Sequence, residues 1–499
     1  MNCLCPSCES DNMRTHSANP PRWVCGDCGK TTRNPVDGYV FPKQEVKSNI
    51  VVFTWAQNAT PVFKPFLRSL HTYCRDRGAQ LIVIPGRYRN PTSSWTAQQE
   101  SHDWWSPEVA GYLCADDIAV NSNLRLMGNV KIQPTASEPL TGLKTMGGAN
   151  SVIFGHPQVA FETVATPQSK MAKIVCTTGA VTKPNYTDSK AGVKGEFHHQ
   201  YGATVVELDG GKFHMRQLIA DGSGKFYDLD RCYNGDKVTG GHRAEAFVSG
   251  DLHAKFTDKD VIDCWWLGEE SLLGRIKPKL QVFHDVFDGY FGSHHHLNDP
   301  FLQYKKAVSG DNCGRSEVDL TAELLDSLCI CPKNYVTKSN HDEHFDRWLK
   351  STDWRKDMTN ARLYLECALG WVKAIDEGRS FDPIAEVLSK KAQKAIFLRR
   401  NDKLMTKGYA LNYHGDSGPN GARGSAKAFD QIGVRSIIGH SHSPRIHKGC
   451  TQVGLSARYD LEYAIGSPSS WMHTAAIIYP NGRSTLITCI DGEYTIEDS

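Results

Sequence analysis

Short runs of apolar residues, each ending in a polar turn, divide the chain. Residues 49–55 are almost continuously apolar, as a strand covered on both faces requires. Residues 61–77 place apolar positions at helical spacing, and residues 79–85 form a second apolar run. Strand, helix and strand in so short a span predict a βαβ unit and therefore a parallel sheet. The turn at 56–60, Ala-Gln-Asn-Ala-Thr, lacks the glycines of a dinucleotide-binding fingerprint, which argues against such a site. From 86 to 240 the runs shorten, with strands expected at 150–154 and 171–176 among Gly, Pro, Thr and Asn. This stretch reads as one α/β domain, 46–240, to which the pattern assigns no role. Its His198-His199 pair reads as a surface or core feature rather than a ligand pair.

In the second half the same arrangement repeats with a chemical addition. Strand-like runs at 243–248, 280–283, 334–337, 409–411 and 434–438 are each followed by a turn carrying metal-ligand residue types. The first turn holds Asp251 and His253, and the second His284, Asp285, Asp288 and Gly289. The third holds Ser339, Asn340, His341 and Asp342, the fourth Asn412 and His414, and the fifth Gly439, His440 and His442. Delivery of ligand types by strand ends predicts that five stretches converge on one edge of a sheet. A helix is expected near 318–328 and a helical pair within 343–376, with Trp348 and Trp354 in the core. Alternating segments at 452–456, 475–479 and 484–490 predict closing antiparallel strands.

Composition narrows the function classes. A chain of 499 residues with a net charge of +2 is not a globally basic nucleic-acid binder, so any DNA contact must come from a local patch or through bound metal. No apolar run approaches 18 residues and no signal-peptide pattern is present, so no membrane partner and a cytoplasmic location are expected. With 16 cysteines and a reducing compartment expected, clustered thiols point to metal rather than disulfides. Cys5-x2-Cys8 and Cys25-x2-Cys28, sixteen residues apart, have the spacing of a four-thiolate zinc ribbon, with Cys3 an alternative to Cys5. Residues 1–45 are read as this ribbon and its linker, holding one structural zinc. Two roles stay open: a stapling module, or a ribbon that touches DNA through Arg14, Arg22, Lys30 and Arg33.

The order Asp251-x-His253, Asp285-x-x-Asp288, Asn340-His341-Asp342, His414 and Gly439-His440-x-His442 resembles that of the calcineurin-like metallophosphoesterases. Two glycines of that pattern are replaced, by His284 and Ser339, which puts loop shape in question more than metal binding. The resemblance implies a two-sheet sandwich flanked by helices over 241–499, so the whole chain is expected to be α/β: ribbon, separate α/β domain, then phosphoesterase domain. It also implies roles. Asp251, His253 and His442 would hold one divalent ion, Asn340, His414 and His440 a second, and Asp285 would bridge them. His341 would act as the acid at the leaving oxygen and Asp342 would orient it. Carboxylate, imidazole and amide donors favour manganese, iron or zinc over magnesium, with manganese the first expectation.

The Asp285-x-x-Asp288-Gly289 and Asn340-His341-Asp342 forms are similar to those of SbcD-type repair nucleases. Ribbon, α/β domain and phosphoesterase domain together also resemble large phage-encoded proteins that degrade host DNA, which would place the chain in the host cytoplasm. A basic run, with Lys390, Lys391, Lys394, Arg399 and Arg400, precedes His414 and is either the wet face of a helix or a contact to the DNA backbone. The triplet His294-His295-His296 reads as a solvated loop, because neighbouring side chains diverge in regular structure; the alternative is that one of them reaches a substrate phosphate. The expected activity is a dinuclear-metal-dependent DNase. The alternatives are a phosphodiesterase or phosphatase acting on nucleotides or other small molecules, and a DNA-binding or assembly scaffold. A homo-oligomer is compatible with a middle domain that has no assigned task.

Overall fold

Alternation within one strand sets the layering. In Ala246–Asp251, Phe247 points into one apolar layer while Ala246 and Val248 point into another, as the two-residue period of a strand dictates. The computed structural model describes residues 3–5, 10, 12–18, 21–32, 36–37, 41–88, 90, 104–167, 170–296, 298–461 and 465–496. It is a mixed α/β protein with several sheets.

A six-stranded sheet has the order Ala395–Phe397, Asn334–Val336, Gln281–His284, Ala246–Asp251, Thr474–Ile478, Ser484–Thr488. The first four strands are mutually parallel and the last two are antiparallel, the closing hairpin expected from the sequence. Helices Gly314–Leu328, Asn340–Ser351 and Ala361–Asp376 cover its outer face, meeting Phe247, Phe283, Trp265 and Trp266. Trp265 is fully buried, and full burial of a large apolar side chain contributes about 1.5–3 kcal/mol, so this layer anchors the site-bearing strands. Trp348 joins it, whereas Trp354 is only half-buried.

The inner face packs on a ten-stranded sheet that crosses the boundary expected near residue 241. Phe161–Val164 pairs antiparallel with Arg445–His447, Phe161 opposite Ile446, so strands of the middle region and of the C-terminal region share one hydrogen-bonded ladder. The βαβ unit forms as expected, with Ile50–Gln57 parallel to Gln80–Gly86 and helix Lys64–Arg77 between them. It belongs to a four-stranded sheet whose Lys212–Ile219 strand meets Ser484–Thr488, where Gln217 Oε1 accepts from the Leu486 amide at 3.0 Å. The four- and six-stranded sheets thus form one layer, and residues of both join the ten-stranded sheet in a single core.

Two expectations are corrected here. The five ligand-bearing turns leave two sheets rather than one: 251–253, 285–288 and 339–342 follow parallel strands of the six-stranded sheet, while 412–414 and 439–442 follow Tyr409–Ala410 and Arg435–Ile438 of the ten-stranded sheet. The basic run is not a helix face, because the helix Pro383–Leu388 ends before it and residues 395–397 form an edge strand. Among the described residues no helix is long and apolar enough to cross a membrane.

Candidate metal centre

All five turns lie beyond the C-terminal ends of parallel strands, where open α/β sheets leave a crevice. Three of the five have strained backbones. His253, Asp285, His440 and His442 all have positive φ, at 46°, 46°, 76° and 59°, in the left-handed region that costs non-glycine residues on the order of 1–3 kcal/mol each. Such strain persists only where the surroundings over-determine the conformation, and it turns these side chains toward one another. Gly439 is required for approach: a Cβ there would lie 2.2 Å from Asp251 Oδ1 and 3.0 Å from His284 Cβ.

Asp251, His253, Asp285 and His442 are all buried, with donor atoms within 4.8 Å of one another. His442 Nε2 lies 3.1 Å from Asp251 Oδ2 and 3.1 Å from His253 Nε2, and His253 Nε2 lies 3.7 Å from Asp285 Oδ2. Two imidazole lone pairs cannot face each other so closely unless a proton or a cation lies between them. Burial opposes charge on His253, but Asp285, Asp288 and Asp251 outweigh it and push the imidazole up to about 9. Burial alone would raise both carboxyls. The imidazoles of His414 and His442 around Asp251, and of His341, His253 and His414 around Asp285, outweigh it and hold both below the usual range, Asp285 at about 2.

The second expected ligand set lies alongside. His414 Nε2 is 3.6 Å from Asp285 Oδ2, and its ring is 5.3 Å from that of His440. Burial lowers the His414 and His442 imidazoles, which favours the neutral form a ligand needs. Asp285 Oδ1, Asn340 Oδ1 and His414 Nε2 are buried without a hydrogen-bond partner. Buried polar atoms left unpartnered are costly, and three of them on neighbouring residues whose chemistry suits a metal ion are the kind of groups that a bound cation would satisfy. His440 contributes through its backbone as well, donating to Asp251 Oδ2 at 2.8 Å.

Around these ligands the structure assigns positions that the sequence did not. His253 Nδ1 donates to Asp288 Oδ1 at 2.9 Å, which frees Nε2 for a cation, and His341 Nδ1 donates to the Asp288 carbonyl at 2.8 Å, which turns its Nε2 toward Asp285 at 3.8 Å. Asp288 therefore positions both imidazoles. The only sequence signal for it was its spacing from Asp285. Asp342 does not orient His341. Its carboxylate accepts from the Ser339 amide at 2.8 Å while Ser339 Oγ accepts from the Asp342 amide, a capping box at the start of helix Asn340–Ser351. Ser339 has φ −108°, so no glycine is needed there, and the cap replaces turn freedom with two hydrogen bonds. His284, at the other replaced glycine, is buried against His414 with its Nδ1 3.0 Å from Thr337 Oγ1, and burial brings it down to about 3.

Over 460 residues the chain is 30% identical to Protein A1 of Escherichia phage T5, covering 89% of this chain and 82% of that protein. The chain belongs to the Protein A1 family. No family model matches it, and no solved structure does. In this Protein A1 family member the basic run is largely neutralised: Lys390 pairs with Glu366, and Lys391 with Asp319 and Glu323 at 3.2 and 3.0 Å. Arg400 binds Asp416 through its two terminal guanidinium nitrogens, each at 2.7 Å, and Glu343 at 2.9 Å, tying the His414 turn to the helix that begins at Asn340. Lys394 and Arg399 are exposed. At the N-terminus Cys5, Cys25 and Cys28 come together, with Cys5 Sγ 3.6 Å from Cys28 Sγ and the Cys28 amide donating to Cys25 Sγ at 3.5 Å. This trio can hold a metal ion; Cys8 lies outside the described residues. His199 is bound by Tyr186 and the Thr182 carbonyl, a structural role.

Proposed function

We propose that this Protein A1 family member is a phage-encoded, dinuclear-metal-dependent phosphodiesterase that hydrolyses DNA, built on a metallophosphoesterase sandwich. The observation that carries the reading is the burial of Asp251, His253, Asp285 and His442 within mutual donor reach, from turns far apart in sequence. The first ion would be held by Asp251, His253 and His442, the second by Asn340, His414 and His440, with Asp285 shared. Two such ions, manganese first among the candidates, would supply charge neutralisation at the nonbridging phosphate oxygens and a more acidic bound water. The chain's own part is orientation and proton supply. Asp288 fixes the His253 tautomer, and its carbonyl leaves His341 Nε2 facing the centre, where a protonated imidazole can donate to the departing oxygen.

A cavity of about 450 Å³ opens beside the centre, lined by Asn340, His341, Phe256, Tyr290 and Leu461. Its size suits a nucleotide unit, which also supports the second reading, a phosphodiesterase for nucleotides. The deciding experiment incubates the full-length chain and manganese with linear DNA, circular DNA and bis-p-nitrophenyl phosphate. Cleavage of DNA that is lost in Asp285→Asn supports the first reading. Cleavage of the small ester with both DNAs intact supports the second. No hydrolysis of any of the three overturns both.

A further inference from the structure

Three histidines outside the centre described above form a cluster of their own. His294 and His295 sit on an irregular turn, where the divergence imposed by helix or strand does not apply, and their rings meet at a 40° tilt with centroids 3.8 Å apart. His344, on helix Asn340–Ser351, completes the group at 5.1 Å from His294 and 5.8 Å from His295. One ring nitrogen from each lies within 4.8 Å of the others. His344 Nδ1 is buried with no hydrogen-bond partner. The third member of the sequence triplet, His296, turns away to Lys306 Nζ at 2.7 Å.

We infer that His294, His295 and His344 form a separate binding site for one zinc-class divalent cation. Three imidazoles, with no carboxylate among them, select borderline-soft cations over magnesium or calcium. They also leave a fourth position for water or an anionic ligand. Around a tetrahedral zinc the nitrogens stand about 3.3 Å apart given Zn–N bonds near 2.0–2.1 Å, so the rings of the turn must close by a rotamer change. His295 is exposed and free of regular structure, which allows it. Arg347 opposes the ion: its Nη1 lies 2.6 Å from His294 Nε2 and 3.0 Å from Nδ1 and must swing out on zinc entry, as an exposed side chain can. The ring of His344 is 5.0 Å from that of His341, so this cation would stand at the rim of the cavity beside the centre.

The site does not depend on the proposed hydrolase activity, and its test counts metal rather than turnover. Full-length protein is stripped with chelator, reloaded with Zn²⁺, desalted and analysed for zinc per chain. The H294A/H295A double variant, which leaves the residues of the larger centre in place, is expected to carry one zinc fewer than the parent. The same difference is expected in an Asp285→Asn background, where the larger centre is disabled. Arg347→Ala is expected to bind this zinc more tightly, by roughly tenfold, since a competing cation is removed. Equal zinc counts in parent and double variant overturn the inference. So does disappearance of the difference in Asp285→Asn, which would give the ion to the larger centre. A cluster that ignores zinc but binds inorganic phosphate, weakened by Arg347→Ala, is an anion site and also overturns it.

Discussion

The carboxylate of Asp288 and the imidazole of His253 are joined by a 2.9 Å hydrogen bond, and this pair sets which nitrogen of His253 faces the centre. Removing such a partner of a ligand histidine typically costs 10–100-fold in metal affinity. Asp288→Ala is therefore expected to weaken manganese binding by about that factor while leaving the fold intact, as read by calorimetric titration. An unchanged affinity would show that His253 is held by its burial alone.

Protons and cations compete for the same lone pairs, which fixes a pH dependence. His253 is raised from 6.5 to about 9, so its contribution to stability is complete below about 6.5 and lost as pH climbs through about 9. Asp285 is depressed from 3.8 to about 2, so its contribution is present above 3.8 and lost as pH falls through about 2. The metal-free protein should lose thermal stability between pH 6.5 and 9. Because His253 must release its proton to bind a cation, the stabilisation by manganese should grow over the same interval. Melting curves with chelator and with manganese at several pH values measure both trends.

Gly439 tests the packing of the two sheets' turns against each other. A methyl group 2.2 Å from Asp251 Oδ1 must displace the carboxylate or the His440 turn. Overpacking of this kind costs about 1–3 kcal/mol, so Gly439→Ala should lower the melting temperature by several degrees and abolish high-affinity manganese binding. Retention of both would mean that the turn relaxes freely.

Arg400 and its basic neighbours separate positioning from DNA contact. Since Lys390 and Lys391 are already paired with carboxylates, K390A/K391A should leave the salt dependence of DNA binding nearly unchanged. Arg400→Ala should instead raise the manganese concentration needed for half-maximal activity several-fold, because the His414 turn loses its tie to the Asn340 helix. A reduced salt slope for K390A/K391A would restore these lysines as DNA contacts.

The N-terminal thiols make the last prediction. Cys25→Ser should lose one tightly bound zinc and unfold the small antiparallel Met13–Ala18 and Pro21–Cys25 pair, detected as faster proteolysis ahead of residue 41. Zinc content equal to that of the parent would remove the ribbon from the protein's metal inventory.

Local pattern determined a good deal by itself. Apolar runs located the βαβ unit, the strands ahead of each ligand turn and the closing hairpin, because periodicity and turn residues are carried by neighbours in the chain. Ligand residue types in order picked out Asp251, His253, Asp285 and His442, which the fold brings together. What depends on which strand lies beside which was settled only in three dimensions. The pairing of Phe161 with Ile446 merges regions that the sequence separated, since no local signal encodes a partner nearly three hundred residues away. Asp342 went to a helix cap and Asp288 to His253 because a carboxylate takes whichever donor packing sets before it. His294 and His295 converge with His344 because an irregular turn escapes the side-chain periodicity from which their divergence was expected.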